Sequence, residues 1–203
     1  MAPTVVLITG ANRGIGRGLL ELYLARSDHI VVATIRSPDK AVETKLASLP
    51  TAERTSLVVL KLDLNVASDP AAATKALSLH GIDHIDILIA NAGIALKWVK
   101  VSEVTQDDIQ QHVDVNVHGF VHLVQSFLPL LQKSKSPKLV TIGSSSAYLT
   151  TDLGQRGAAA FGYEKAAITV DESVNGIIKV VDAATRDTHG GKMWVYTGVE
   201  SPW

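Results

Sequence analysis

The chain has 203 residues, 46% of them hydrophobic, enough for a core that buries most of its apolar surface, so a single domain over 1–203 is the simplest reading. Its 19 Lys and Arg against 20 Asp and Glu leave a net charge of -1, which argues against nucleic acid or an anionic membrane as partner. The absence of cysteine excludes disulfides, thiolate nucleophiles and Cys-based zinc sites together.

The N-terminus, "MAPTVVLITGANRG", has no basic leader and too short an apolar run for a signal or a span, so a soluble, cytoplasmic protein is expected. "TVVLITG" (4–10) predicts a buried strand, and 14–26 a helix. "HIVVATIR" (29–36) predicts a second strand and "PDKAVETKLASL" (38–49) a helix with Pro in its first turn. "SLVVLKLD" (56–63), a helix over 69–80 and "IDILIANAG" (85–93) continue the alternation. A long helix over 106–133 follows, with Thr105 and Asp108 spaced as an N-cap pair and Pro129 bending or shortening its end; "KLVTIGSSS" (138–146) is the fifth strand. Strand and helix in alternation imply an α/β fold, a three-layer, doubly wound parallel sheet of the Rossmann type.

After the fifth strand the rhythm fails. Residues 147–169 are rich in Gly, Ala and Thr and predict no strand; a helix over 170–188 and a last strand, "GKMWVYTG" (191–198), follow. One helix–strand unit is missing. The 170–188 helix can still carry a right-handed crossover, so the expected sheet order is 3-2-1-4-5-7.

"TGANRGIG", Thr9 to Gly16, follows the first strand and opens the first helix. Backbone without Cβ atoms lets a pyrophosphate approach, and the helix start offers unpaired N–H groups and a favourable dipole. Thr9, Gly10, Arg13, Gly14, Ile15 and Gly16 are therefore candidate cofactor-binding residues. An acid usually follows the second strand where the ribose 2′-hydroxyl of NAD is bound. Here Arg36 stands in that place and Arg13 lies within the turn, and two guanidiniums suit a 2′-phosphate. NADP(H) is thus preferred over NAD(H). Asp63, ending the third strand, is a candidate acceptor for the adenine amino group.

These pieces resemble the short-chain dehydrogenase/reductase family. The likeness rests on "TGANRGIG", on "NAG" (Asn91, Ala92, Gly93), on Asn116 in "VNVHG" and on Ser144 in "TIGSSS", in the family's order and over about residues 1–148. Within the family, the "GANRGIGRGLLELYLAR" start and the "ESVNGIIKVVDAATRDTHGGKMWVY" segment with its "SPW" end are similar to fungal ketoreductases of the norsolorinic acid ketoreductase type. The resemblance implies reduction of a ketone, with an aromatic polyketide of secondary metabolism as the candidate, and for the family a homodimer or tetramer, neither of which is carried over to this chain. It implies that Ser144 binds the carbonyl, with Ser145 and Ser146 as alternatives. It further implies that Asn116 holds a water relay and that Asn91, Ala92, Gly93 and Thr151 border the cofactor. The family also uses a Tyr as proton donor and a Lys four residues later.

In "AFGYEKAA" (160–167) Tyr163 and Lys165 are only two apart, which points them about 200° apart on a helix. One reading has Phe161 in the place of the tyrosine, with Lys165 kept. A second has Tyr163 acting from an unusual position. The third takes "TTDLGQRGAAAFGYEKAAIT" as the segment that follows the catalytic helix and sixth strand in the fungal group, brought forward by a deletion near 149–150 of at least ~30 residues, one α/β repeat. The third is preferred, because it accounts at once for the missing unit and for the likeness of everything after Thr151. The Tyr and Lys of the family motif are then absent.

His112, His118 and His122 lie at helical spacing, yet no carboxylate completes a ligand set, so no metal is expected. Glu103, Asp107, Asp108 and Asp114 read as helix-start and surface charges. Trp98, in the segment after "NAG", is placed where a substrate can stack, although packing alone accounts for it more simply.

Overall fold

In the computed structural model, which describes residues 2–144 and 150–202, the chain forms two units that divide after Ile142. The first is a parallel sheet in the order β3-β2-β1-β4-β5. β1 (Thr4–Thr9) lies between β2 (His29–Ile35) and β4 (Ile87–Ala90), with Val6 opposite Val31 on one side and Ile87 on the other. β3 (Ser56–Lys61) extends the sheet beyond β2, and β5 (Lys138–Thr141) extends it beyond β4.

Alternation along β1 explains the layers. Val5 and Leu7 join a buried cluster with Leu77 of α3 (Asp69–Leu79) and with Leu123 and Phe127 of α5 (Gly119–Leu131). Val6 and Ile8, also buried, point the other way. There α1 (Gly14–Leu24) packs on β1 and β2 and buries Leu19, Leu20 and Tyr23. α2 (Lys40–Ala47), capped by Asp39, packs against β3. A sheet apolar on both faces and covered on both is what parallel strands require.

The chain runs outward from β1 to β3, then returns to place β4 on the free side of β1. The carboxyl ends of β1 and β4 therefore flank the point where the strand order reverses, the crevice in which open α/β sheets bind ligands.

The predicted long helix is present with an interruption: α4 (Gln106–Val113), a π-helical turn (Asp114–His118) and α5 follow one another without a break. The Thr105–Asp108 expectation is met as a reciprocal capping box.

The second unit departs from expectation three times, twice in its helices and once in its last strand. α6 (Asp152–Ala160), capped by Thr151, forms where no element was predicted, because Gly154 and Gly157 and a run of alanines hide a helical period. The predicted helix over 170–188 is α7 (Val170–Ala183) and a separate short α8 (Arg186–His189), parted where Thr185 starts a new capping box.

The last strand is a correction. Residues 191–198 do not pair with β5; β6 (Met193–Trp194) instead pairs antiparallel with β7 (Glu200–Ser201) in a ribbon of its own. The described sheet order is thus 3-2-1-4-5, without the seventh strand. Gly198, at φ 84°, turns the chain, with Val195 N donating to Val199 O (2.8 Å) and Gly198 N to Val195 O (2.9 Å). That is a turn followed by a left-handed glycine bulge, a hairpin-former rather than the middle of a strand.

Candidate cofactor and active site

Thr9 is the post around which the site is built. Its buried Oγ1 accepts from both Asn91 N and Ala92 N at 2.9 Å, so the chain leaving β4 is tied to the end of β1. Asn91 returns the bond, its Nδ2 donating to Thr9 O at 2.8 Å. Gly10 and Gly14 take φ of 67° and 57°, left-handed values that favour glycine, and Gly10 N and Ala11 N donate to Thr34 O of β2. A Cβ on Gly16 would overlap the carbonyl oxygen of Gly10 and the amide nitrogen of Asn91. The turn, the start of α1 and the segment after β4 are in this way packed without room for a methyl group.

The N-terminus of α1 has no side-chain cap and no acid in its first turn; the residue before it, Arg13, is extended at φ -154° and exposed. Uncapped N–H groups, a positive dipole end and glycines that clear the approach fit the phosphates of a dinucleotide. Ile15 is half-buried beside them, and Arg36 is exposed one residue past β2. Asp63 sits two residues after β3, its Oδ1 accepting from Asn65 N (2.9 Å) and its own N donating to Asp69 (2.9 Å). That carboxylate turns the chain there, whatever else it binds.

Beyond Gly93, Ile94 meets Asn116 in a two-point bond: Ile94 N donates to Asn116 Oδ1 and Asn116 Nδ2 donates to Ile94 O, both 2.9 Å. Asn116 sits within the π turn, a local widening often found at functional positions. Two further contacts on the same helix were not anticipated. His112 Nε2 accepts from Leu96 N (2.9 Å) while its Nδ1 donates to Asp108 O (2.6 Å). Asp108, buried, takes the Lys97 ammonium at 2.8 Å. The Lys97 bond, with help from Thr105, holds the Asp108 carboxyl at about 2, below the usual range. The sequence signal was there in the four-residue spacing of 108, 112 and 116; the histidines drew attention as metal ligands instead. His118 bonds Asp114 at 3.2 Å.

Thr9, Gly10, Gly16, Asn91 and Ala92 are thus brought together, and Ile94, the residue after Gly93, bonds Asn116. Ser144, exposed, and Thr151, the cap of α6 through Gly154 N (3.1 Å), belong to the second unit. Ser145 and Ser146 lie outside the described residues.

α6 ends before the stretch that mimics a catalytic motif. Gly162 takes φ 78°, Gly162 N donates to Ala159 O (3.1 Å) and Tyr163 N to Ala158 O (2.9 Å), a left-handed helix stop. Phe161 closes the helix and Lys165 lies beyond it, so the two do not share a helix face, nor do Tyr163 and Lys165. The first reading of "FGYEK", which keeps the four-residue spacing of Phe161 and Lys165, needs a helix here.

The profile of the short chain dehydrogenase family matches residues 4–183. The norsolorinic acid ketoreductase of Dothistroma septosporum is 32% identical over 250 aligned positions, which take in 98% of this chain and 92% of the relative. That of Aspergillus parasiticus is 31% identical, over 98% of this chain and 91% of the relative. Among solved structures, the NADPH-bound carbonyl reductase from chicken fatty liver superposes with a TM-score of 0.84 over all of both chains, at 23% identity, a likeness of fold. No described helix is long and apolar enough to cross a membrane.

Proposed function

Because the chain belongs to the short chain dehydrogenase family, whose members are oxidoreductases acting on carbonyl and hydroxyl groups, we propose that it is an NADP(H)-binding ketone reductase in shortened form, with its proton-donating helix removed. The glycine turn with its Thr9–Asn91 tie carries the binding half of this reading, since every residue of it precedes the proposed deletion. NADP(H) over NAD(H) rests on Arg13 and Arg36, both exposed, one before the first helical residue and one after β2. The names of the fungal relatives support an aromatic polyketide ketone as the ancestral substrate. The lack of cysteine suits a reducing compartment, and we place the protein in the cytoplasm.

The catalytic half rests on the helix stop at Gly162. Bound nicotinamide supplies a hydride to a carbonyl carbon; the protein's own task is to bind the carbonyl oxygen and deliver a proton to it. Ser144 is assigned the first role and Asn116 the holding of a water. In "FGYEK" Phe161 offers no proton, and Tyr163 and Lys165, both beyond the end of α6, lack the family pair's four-residue spacing on one helix face. The alignment supports a deletion: 250 positions against 203 residues leave about fifty positions of the relative opposite nothing in this chain. A single deletion near 149–150 accounts for both observations.

Titration with NADPH, read by nucleotide fluorescence, and assay of NADPH oxidation with a panel of quinones and aromatic ketones test the reading together. Saturable binding without turnover is expected, and it fits equally a chain retained as a cofactor-binding partner. Turnover at ordinary rates overturns the deletion argument; absence of binding reduces the chain to a non-functional fragment.

A further inference from the structure

The segment after Gly93 leaves the carboxyl end of β4 at the strand-order reversal, beside the glycine turn, and is unusually apolar for exposed backbone. Leu96, Trp98, Val99, Val101 and Val104 are all exposed, Val101 at 91%. A run of this kind at the rim of a ligand crevice marks a recognition surface rather than ordinary surface scatter. Exposed apolar loops gain nothing from water and hold one shape only if something fixes their backbone.

α4 and the π turn supply that fixture as a ladder. Asp108, His112 and Asn116 stand four residues apart and meet Lys97, Leu96 and Ile94 in reverse order. Four residues of α-helix overshoot a full turn by about 40°. The wider π turn at Asp114–His118 rotates less per residue, which lessens that drift between His112 and Asn116. His112 is the rung with most at stake. Asp108 O can only accept, so Nδ1 carries the proton and Nε2 is the acceptor that satisfies the Leu96 amide.

We propose that His112, with the Lys97–Asp108 pair, is a positioning residue for substrate: it hangs 94–98 from α4 so that Leu96, Trp98 and Val99 form an apolar wall for a flat, ring-bearing carbonyl compound. The proposal deepens the reductase reading and rests on it for the location of the crevice. It does not depend on turnover. Trp98 provides the broad face on which such a ring stacks, while the three rungs set where that face stands. The Lys97 ammonium and the Asp108 carboxylate, the charged groups on the neighbouring rung, are paired with each other at 2.8 Å.

Equilibrium dialysis of anthraquinone-2-sulfonate against the full chain tests this, with NADPH affinity measured in parallel and hydrogen exchange followed at the Leu96 amide. Replacing His112→Leu is expected to weaken anthraquinone binding about tenfold and to speed Leu96 exchange by a similar factor, the size expected when one amide loses its hydrogen-bond acceptor. His112→Gln, which keeps an acceptor, is expected to restore most of both, and Trp98→Ala to weaken the probe without changing Leu96 exchange. NADPH affinity is expected to stay level throughout. Equal probe affinity in wild type and His112→Leu, or equal Leu96 exchange, overturns the proposal, as does NADPH binding with no binding of the probe. Probe binding that follows the His112 series without NADPH binding sustains the ladder and removes the cofactor reading instead. If His112→Leu does not fold, His112→Gln together with Lys97→Met decides: loss of probe affinity in Lys97→Met alone supports the ladder, and loss in neither overturns it.

Discussion

Gly16 has no side chain because there is no volume for one. Its Cα faces the Gly10 carbonyl and the Asn91 amide, and both belong to backbone or to a side chain already bonded to Thr9, so neither neighbour can step aside cheaply. Gly16→Ala is therefore expected to destabilise the first unit by about 1–3 kcal/mol and to abolish NADPH binding at moderate concentrations, measured by denaturant unfolding and nucleotide fluorescence. The sequence displayed this glycine, since a turn between strand and helix keeps its spacing local. It did not display the Thr9 Oγ1 bonds to Asn91 and Ala92, because the partners are more than eighty residues apart and nothing in either segment names the other. Asp108 shows the same limit. Its spacing from Thr105 was legible, whereas its bond to Lys97 was not. With its carboxyl held at about 2 in the fold against an ordinary value near 4, Asp108 contributes stability that is fully present above pH ~4 and lost as pH falls towards 2. Acid unfolding is expected to show this loss in the wild type, and Asp108→Asn to be destabilised at neutral pH with a flatter profile between pH 4 and 2, followed by circular dichroism.

At the scale of elements, what the sequence conveyed was period, and what it concealed was interruption. β1 to β5 and α1 to α5 stood out because aliphatic runs alternate with amphipathic ones. α6 did not, since two glycines and three alanines give no contrast between faces. The β6–β7 ribbon was misread as a single strand because its turn residue, Gly198, was counted at the strand's end rather than as the bend. Once the bend is recognised, Gly176 acquires a reason. A Cβ there would overlap the Tyr196 carbonyl, so α7 receives the hairpin at a point where it has no side chain. Gly176→Ala improves helix propensity on its own terms, yet it is expected to push the hairpin away and to unprotect the Val195 and Gly198 amides in hydrogen exchange. Tyr196 adds a second tie, donating to Glu172 Oε1 at 2.9 Å. The Glu172 bond, then burial, raises the Tyr196 phenol above its ordinary value near 10. Stability from this tie is present below that ordinary value and is lost as pH rises through the raised one, so hairpin protection is expected to fall in alkali in the wild type, and Tyr196→Phe to lack that alkaline step.

For the whole molecule, the question is what the proposed deletion would leave behind. In a doubly wound sheet every strand is apolar on both faces because helices cover both. β5 departs from this: its burial alternates, and Leu139 at its centre is 45% exposed. On the helix beside it in sequence, Val117, Val121 and Leu128 are exposed as well. One such residue is ordinary, but four on consecutive elements, ending where the sequence lost its rhythm, form an apolar surface that accords with the proposed deletion. Such surface favours self-association without a defined partner geometry. The purified chain is therefore expected to elute as a broad, concentration-dependent population in light scattering, rather than as one dimer or tetramer. Inserting between Leu149 and Thr150 the roughly fifty positions that the Dothistroma relative carries and this chain lacks is expected to sharpen that distribution and to raise NADPH-dependent ketone reduction from background to a measurable rate. A gain in homogeneity without activity would place the fault in Ser144 or Asn116 rather than in the proton donor. Activity equal before and after insertion would mean that the donor already lies within these residues, and the deletion reading would fall.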